Sequence, residues 1–104
     1  MRTLEPKKLL TLITSRDLQR LVLDTARRCG VGGYTIVPAS GAGTSGVQTG
    51  ILDGDSNVVI YIILSEPRLK TLLAEIDALM TAGYRVKALV SDIMILPRKA
   101  GSQG

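Results

Sequence analysis

The sequence predicts a single α+β domain over residues 1–104, of the ferredoxin-like βαββαβ type: a four-stranded antiparallel sheet with two helices on one face. Two segments repeat apolar residues at helical spacing, and each is followed by a glycine, Gly30 or Gly83. Short apolar segments typical of strands flank both helical segments. The run from Val58 to Leu64 is apolar at almost every position, which indicates a strand covered on both faces.

The first strand and the first helix are predicted within residues 7–30. Lys7 to Thr14 is short, apolar and rich in branched side chains, as in a buried strand. Ser15 can cap the following helix by offering its hydroxyl to the free amides of the first turn. Gly30 ends this helix, because glycine adopts the left-handed conformation without strain. The predicted buried stripe consists of Leu18, Leu21, Val22, Ala26 and Cys29.

Three more strands are predicted in the rest of the chain. The second spans residues 34–39, where Pro38 indicates an edge strand or the end of the strand. The third spans residues 57–64, and the fourth runs from about Tyr84 to Leu96, where Pro97 stops it.

The second helix is predicted between the third and fourth strands. Ser65 can cap it, Pro67 is suited to its first turn, and Gly83 ends it. Its predicted buried stripe consists of Leu69, Leu72, Leu73, Ile76, Leu79 and Met80.

The predicted topology leaves the second face of the sheet without helices. Because the third strand is apolar on both sides, this face needs a cover, and a second copy of the chain is the simplest one. Leaving about 400 Å² of apolar surface in water would cost about 10 kcal/mol, comparable to the stability of a whole domain. We therefore expect an obligate homo-oligomer.

Composition disfavours several classes of function. The net charge of +4 is spread along the chain, and three Tyr with no Phe or Trp offer few stacking side chains for a nucleic acid. The chain has no histidine, and its single cysteine, Cys29, lies on a predicted apolar stripe. We therefore expect no enzyme activity, no metal site and no cofactor. The closest carboxylate pair, Asp53 and Asp55, flanks a glycine, as turn residues do.

The compartment follows from two further observations. Cys29 cannot form an internal disulfide, which favours the cytoplasm. No apolar run approaches the ~20 residues that a membrane helix needs, and no signal-peptide core follows Met1. We expect a soluble cytoplasmic protein without direct membrane insertion.

A glycine-rich segment joins the second and third strands and is longer than most such connections. Within Gly41-Ala-Gly-Thr-Ser-Gly46, glycine amides can point together at an anion, and hydroxyls add donors. The segment matches neither the Walker pattern nor the dinucleotide fingerprint. Lys87 and Arg98 would complete a phosphate site if the fold brings them near; the alternative is a flexible loop and solvated surface charges.

Three short motifs carry a family resemblance: Gly33-Tyr-Thr-Ile-Val37, Gly41-Ala-Gly43 and Asp55-Ser-Asn-Val58. Together they resemble the PII signalling family, particularly its PII-like branch linked to carboxysomes and bicarbonate transport. The likeness covers about residues 7–101.

The resemblance implies a homotrimer that binds adenine nucleotides in clefts between subunits and contacts a regulated target through a flexible T-loop, about residues 41–56. The implied nucleotide-binding residues are Thr35 and Ile63 beside the adenine, Gly41, Ala42, Gly43 and Thr44 at the loop base, and Lys87 and Arg98 at the phosphates. The implied partner-binding residues of the loop are Ser45, Gly46, Val47, Gln48, Thr49, Gly50, Asp53 and Asp55.

The positions at which the sequence departs from the family pattern reduce the number of ligands and modifications to expect. The loop has no tyrosine between Gly41 and Ser56, which argues against uridylylation, and the residues that help to hold 2-oxoglutarate are not apparent. Ala100 stands where a second arginine is common, so ADP or AMP is favoured over ATP, and cyclic AMP stays an alternative. Residues 98–104 are expected to be mobile.

The leading hypothesis is a nucleotide-sensing regulator of inorganic-carbon metabolism, with bicarbonate as a second ligand. Its target would be a bicarbonate transporter or a carboxysome-related protein. The alternatives are an ACT-like amino-acid-binding module, which the long loop disfavours, and a small enzyme of the dimeric ferredoxin-like barrel type, which the absence of histidine disfavours.

Overall fold

A computed structural model describes residues 1–40 and 57–98 of the chain. Within them the sheet has four antiparallel strands in the order β2-β3-β1-β4, which confirms the ferredoxin-like prediction. A short 3-10 turn, Arg16–Leu18, joins the first strand to the first helix. The elements are β1 (Glu5–Ser15), α1 (Gln19–Arg28), β2 (Thr35–Ala39), β3 (Asn57–Leu64), α2 (Glu66–Thr81) and β4 (Val86–Ile95).

The strands agree with the prediction most closely where the apolar pattern is continuous. β3 has the predicted bounds, and β2 is an edge strand that contains Pro38. β1 is longer than predicted because its ladder with β4 reaches from Glu5 to Thr14. β4 begins later than predicted, since the amide of Tyr84 still donates to the carbonyl of Leu79 in α2, 3.1 Å away.

Both helices end at the predicted glycines. Gly30 has φ +85° and Gly83 has φ +103°, the left-handed conformation that glycine adopts without strain. The amide of Gly30 donates to the carbonyl of Arg27 at 2.9 Å, and the next amide, of Val31, donates to that of Ala26 at 3.1 Å. These two bonds satisfy carbonyls that the end of α1 would otherwise leave free.

The predicted hydroxyl caps at the helix starts are wrong. Ser15 and Ser65 have the extended backbone of cap residues, but neither side chain makes a capping hydrogen bond. Ser15 still belongs to β1, and a 3-10 turn separates it from α1. At α2 the backbone carbonyl of Ser65 accepts from the amide of Leu69 at 2.9 Å, and Pro67 occupies the first turn as predicted.

The core lies between the helices and one face of the sheet. The buried stripe of α1 is rotated from the prediction: Leu23 and Thr25 are buried, while Leu21 is only half-buried. Met80 is 47% exposed, contrary to the prediction, because its neighbour Leu79 takes the inward position in the last turn of α2. The buried apolar residues are Leu10, Leu12, Val22, Leu23, Ala26, Val31, Val58, Ile60, Ile62, Leu64, Leu69, Leu72, Ile76 and Val86.

Neither helix among the described residues is long and apolar enough to cross a membrane.

An ion pair between Lys8 and Asp92 joins β1 to β4 and makes the stability of the fold depend on pH. The hydrogen bond to Asp92 raises the pKa of Lys8 above its usual 10.5; burial opposes this, and the charges of Asp92 and Glu66 add to it. The folded state holds the proton of the Lys8 ammonium more tightly than the unfolded state does. The stability that the ion pair contributes is therefore complete below about pH 10.5 and is lost as pH rises through the higher pKa of folded Lys8.

We expect Asp92→Asn to lower the melting temperature slightly at about pH 8, since the Asp92 carboxylate is exposed and solvent screens the pair. The difference from wild type should shrink as pH rises above about 10.5 and through the higher pKa of folded Lys8. Parallel thermal melts of the two proteins measure it. A difference that stays constant over this range would show that Lys8 is not the titrating group.

Candidate functional site

The face of the sheet opposite the helices, which we term the helix-free face, is largely apolar and has several exposed apolar residues in the single chain. It is formed by alternate residues of each strand, because successive side chains of a strand point to opposite faces. Val37 is 42% exposed, Tyr61 40%, Ile63 53% and Leu89 47%. The prediction that the second face of β3 is apolar is therefore confirmed.

Thr35 and Ile63, predicted to lie beside an adenine, are close together on this face. Thr35 pairs with Tyr61 across β2 and β3, and Ile63 is the next residue of β3 on the same face. Such diagonal neighbours are about 7 to 8 Å apart. Tyr61 was not among the predicted site residues, although the two-residue period of residues 58–64 places it beside Ile63.

Lys87 also lies on the helix-free face, but on the opposite edge strand. Val37, Val59, Ile13 and Lys87 form one row across β2, β3, β1 and β4. With strands about 4.8 Å apart, the backbone of Lys87 lies about 14 Å from that of Val37. β2 ends at Ala39, two residues beyond Val37. Lys87 therefore lies at the same end of the sheet as the point where the chain enters residues 41–56.

Arg98 lies at the other end of the molecule. It follows β4, and the part of this strand from Lys87 to Ile95 spans about 26 Å at about 3.3 Å per residue. The carbonyl of Arg98 accepts a hydrogen bond from Nε of Arg2 near the start of the chain, 3.1 Å away. One chain therefore does not bring the two predicted phosphate-binding cations together.

A cavity of about 350 Å³ adjoins Ile63 and contains two cations that the sequence did not indicate, Lys7 and Arg68. Arg68 donates a hydrogen bond to the carbonyl of Gly30, at the end of α1. Leu9 pairs with Ile63, and the two-residue period of β1 places Lys7 on the same face as Leu9, so the sequence could have indicated Lys7. The approach of Arg68 to the carbonyl of Gly30 depends on the turn at Gly30 and could not be predicted in this way. The other lining residues are Val31, Gly32, Leu64 and Ser65.

A second cavity of about 380 Å³ lies around the ion pair of Lys8 and Asp92, beside Pro6, Glu66 and Met94. None of the predicted site residues lines it. It is therefore separate from the residues that the resemblance implicates.

The remaining predicted site residues lie outside the described part of the chain and stay predictions. They are the nucleotide-binding residues Gly41, Ala42, Gly43 and Thr44 and the partner-binding residues Ser45, Gly46, Val47, Gln48, Thr49, Gly50, Asp53 and Asp55.

Cys29 is a structural residue rather than a reactive one. Its side chain is half-buried and packs against the core, and burial raises the pKa of its thiol above the usual 9.0. A thiol with a raised pKa is protonated at neutral pH and is a poor nucleophile. Over residues 1–40 and 57–98 no group of three or more His, Cys, Asp or Glu side chains could hold a metal ion.

Comparison with solved structures finds close structural relatives among PII-like proteins. CPII from Thiomonas intermedia K12, a nitrogen regulatory PII-like protein bound to ADP and bicarbonate, is 28% identical with a TM-score of 0.78, over 93% of this chain and 95% of that one. A structure of CPII bound to ADP, AMP and bicarbonate is 27% identical with a TM-score of 0.78, over 93% and 94%. A PII-like signaling protein from Thermus thermophilus is 28% identical with a TM-score of 0.74, over 92% and 94%.

A search of curated proteins found no match. The family model described as "Nitrogen regulatory protein P-II" matches residues 7–98, which include all six described strands and helices except the first two residues of β1. These findings confirm the resemblance drawn from the three short motifs, and they do not favour the ACT-like alternative. The chain belongs to the nitrogen regulatory protein P-II family.

Proposed function

We propose that this protein is a cytoplasmic, nucleotide-sensing regulator that is not an enzyme. It binds ADP or AMP in clefts between the subunits of a homotrimer. The bound nucleotide favours one state of residues 41–56, and this segment contacts a target in inorganic-carbon metabolism, such as a bicarbonate transporter or a carboxysome-related protein. The observation that carries the proposal is that Thr35, Ile63 and Lys87 all lie on the exposed helix-free face.

The separation of Lys87 from Arg98 supports a cleft between two chains. A diphosphate is far shorter than the roughly 26 Å that β4 places between Lys87 and Ile95, the last strand residue before Arg98. If both cations contact one nucleotide, they come from different subunits. Packing copies through the helix-free face would also remove Val37, Tyr61 and Leu89 from water.

The number of available cations favours the shorter nucleotides. Lys87 and Arg98 offer two charge-assisted contacts, which suit the charge of AMP or ADP better than the larger charge of ATP. Cyclic AMP, with a single phosphate charge, is the alternative ligand of the same cleft.

Bicarbonate is the proposed second ligand. The CPII structures are described as bound to ADP and bicarbonate, and that protein aligns with 93% of this chain. Regulation then requires that the ligands bind one state of residues 41–56 better than the other. A tenfold difference corresponds to about 1.4 kcal/mol, which one or two charge-assisted hydrogen bonds can supply.

Calorimetric titration with ADP tests the proposal. We expect Lys87→Ala and Arg98→Ala each to weaken ADP binding by about 1 to 3 kcal/mol, roughly 5- to 150-fold, because each removes a cation from the phosphates. Titrations with AMP, ATP and cyclic AMP under the same conditions rank the ligands.

Arg20→Ala is the matched control. Arg20 is an exposed cation of α1, on the opposite side of the sheet from Lys87, so its removal changes the net charge equally without touching the proposed cleft. Unchanged ADP affinity in both the Lys87 and the Arg98 variants would refute the proposed phosphate contacts.

A further inference from the structure

Asn57, the first residue of β3, is unusual among the buried polar residues. Three polar side chains are buried among residues 1–40 and 57–98, and two of them are hydrogen-bonded. Oγ1 of Thr14 donates to the carbonyl of Arg85 at 2.8 Å, and Oγ1 of Thr25 donates to that of Leu21 at 2.9 Å. Asn57 is 1% exposed, and neither its Oδ1 nor its Nδ2 has a partner.

An unpaired buried amide does not help the chain to fold. It has given up its hydrogen bonds to water without replacing them, so an apolar residue of the same size would serve the fold better. Because nearly all buried polar groups in proteins are paired, an unpaired one calls for a physical reason. A ligand that pairs with the amide is such a reason.

The position of Asn57 connects it with the helix-free face. It stands between Ala39 of β2 and Ser15 of β1, and its side chain shares the face of Val59 and Tyr61. The adjacent row of this face lies about 7 Å further along the strands and ends at Lys87. Asn57 is therefore at the end of the sheet that carries Lys87, away from Ile63.

The hydrogen-bonding capacity of the amide selects the ligand. Oδ1 needs a donor and Nδ2 needs an acceptor, side by side in one plane. A fully ionised oxyanion, such as sulfate or the fully ionised terminal phosphate of a nucleotide, only accepts hydrogen bonds and would leave Oδ1 unpaired. Bicarbonate carries a C–OH donor and a C–O⁻ acceptor on one carbon, and can satisfy both atoms with two parallel hydrogen bonds.

We propose that the side-chain amide of Asn57 binds bicarbonate. The inference rests on the proposed function, since it supplies the site of the second ligand, while the nucleotide occupies the cleft marked by Thr35 and Ile63. Lys87 contributes positive charge at the same end of the sheet and favours an anion there.

The sequence allows a direct test, because Asn57 is the only asparagine of the chain. Protein labelled with ¹⁵N-asparagine gives a single pair of side-chain amide proton signals in NMR. With ADP saturating, sodium bicarbonate should shift this pair and slow its exchange with water. Sodium chloride and sodium sulfate, at the same pH and ionic strength, should do neither, because neither anion can donate to Oδ1.

A substitution provides the second measurement. We expect Asn57→Leu to lower bicarbonate affinity about tenfold or more by calorimetry and to leave ADP affinity unchanged. Its melting temperature should stay level or rise by up to roughly 4 to 8 °C, because the unpaired amide is removed. Thr14→Val is the control: it breaks a paired hydrogen bond, so it should melt earlier and keep its bicarbonate affinity.

The outcomes separate the proposals. Bicarbonate that binds without moving the Asn57 signals, or no bicarbonate binding at all, overturns this site while the ADP cleft stands. A shift of these signals by ADP alone assigns the amide to adenine, whose N6 and N7 also suit an asparagine, and likewise overturns it. If the wild-type protein does not bind ADP at all, the proposed function is contradicted instead. If the leucine variant does not fold, the labelled wild type decides.

Discussion

When Lys87→Ala chains and Arg98→Ala chains assemble together, about a quarter of the nucleotide sites will bind ADP with wild-type affinity. Each variant assembled alone is deficient in ADP binding. The reason for the restored sites is geometric. β4 holds the two cations at opposite ends of a strand that runs from Val86 to Ile95, so each cleft takes Lys87 from one chain and Arg98 from its neighbour. In a random mixture, about one cleft in four receives both intact residues.

Co-expression of the two variants with different tags isolates the mixed trimers, and in each of these about one cleft in three carries both intact residues. Calorimetry with ADP then measures how many sites bind with the wild-type constant. Each variant assembled alone gives the baseline without any intact cleft. If mixing restores no sites, both cations act within one chain, or one of them does not contact the nucleotide.

Leu89→Asp is expected to break the assembly into single chains. Leu89 is 47% exposed on the helix-free face, in one row with Thr11, Tyr61 and Thr35. Covering this face with another subunit would bury an unpaired carboxylate, which costs several kcal/mol per subunit. Sedimentation should show loss of the oligomer, and ADP binding should fall with it.

Val90→Asp is the matched control on the next residue of β4. Val90 is 49% exposed, nearly the same as Leu89, but its side chain points to the other side of the strand. The same charge should therefore leave the oligomer intact. If both variants dissociate, or if only Val90→Asp does, the helix-free face is not the surface through which subunits pack.

Structural features that depend only on residues adjacent along the chain could be predicted from the sequence. Gly30 and Gly83 end the helices because left-handed backbone is a local property of glycine. The bounds of β3 follow from an unbroken apolar run, and the apolar second face follows from its two-residue period. The predicted hydroxyl cap at Ser15 failed because β1 extends through this residue, and that extension depends on pairing with a distant strand.

The arrangement of the candidate site could be predicted only in part. The side of the sheet that Thr35 and Ile63 occupy follows from strand period, but strand register depends on contacts between distant residues. For this reason the distance between Lys87 and Arg98 and the approach of Arg68 to Gly30 had no local signal. The unpaired amide of Asn57 is likewise visible only once the fold surrounds it.

The solution mass of the wild-type protein tests the central claim, that neighbouring copies cover the helix-free face and complete each nucleotide cleft. Sedimentation equilibrium at concentrations where the protein is folded should give three times the 11.1 kDa mass of one chain. A folded species of 11.1 kDa would contradict it, because a single chain cannot place Lys87 and Arg98 on one nucleotide.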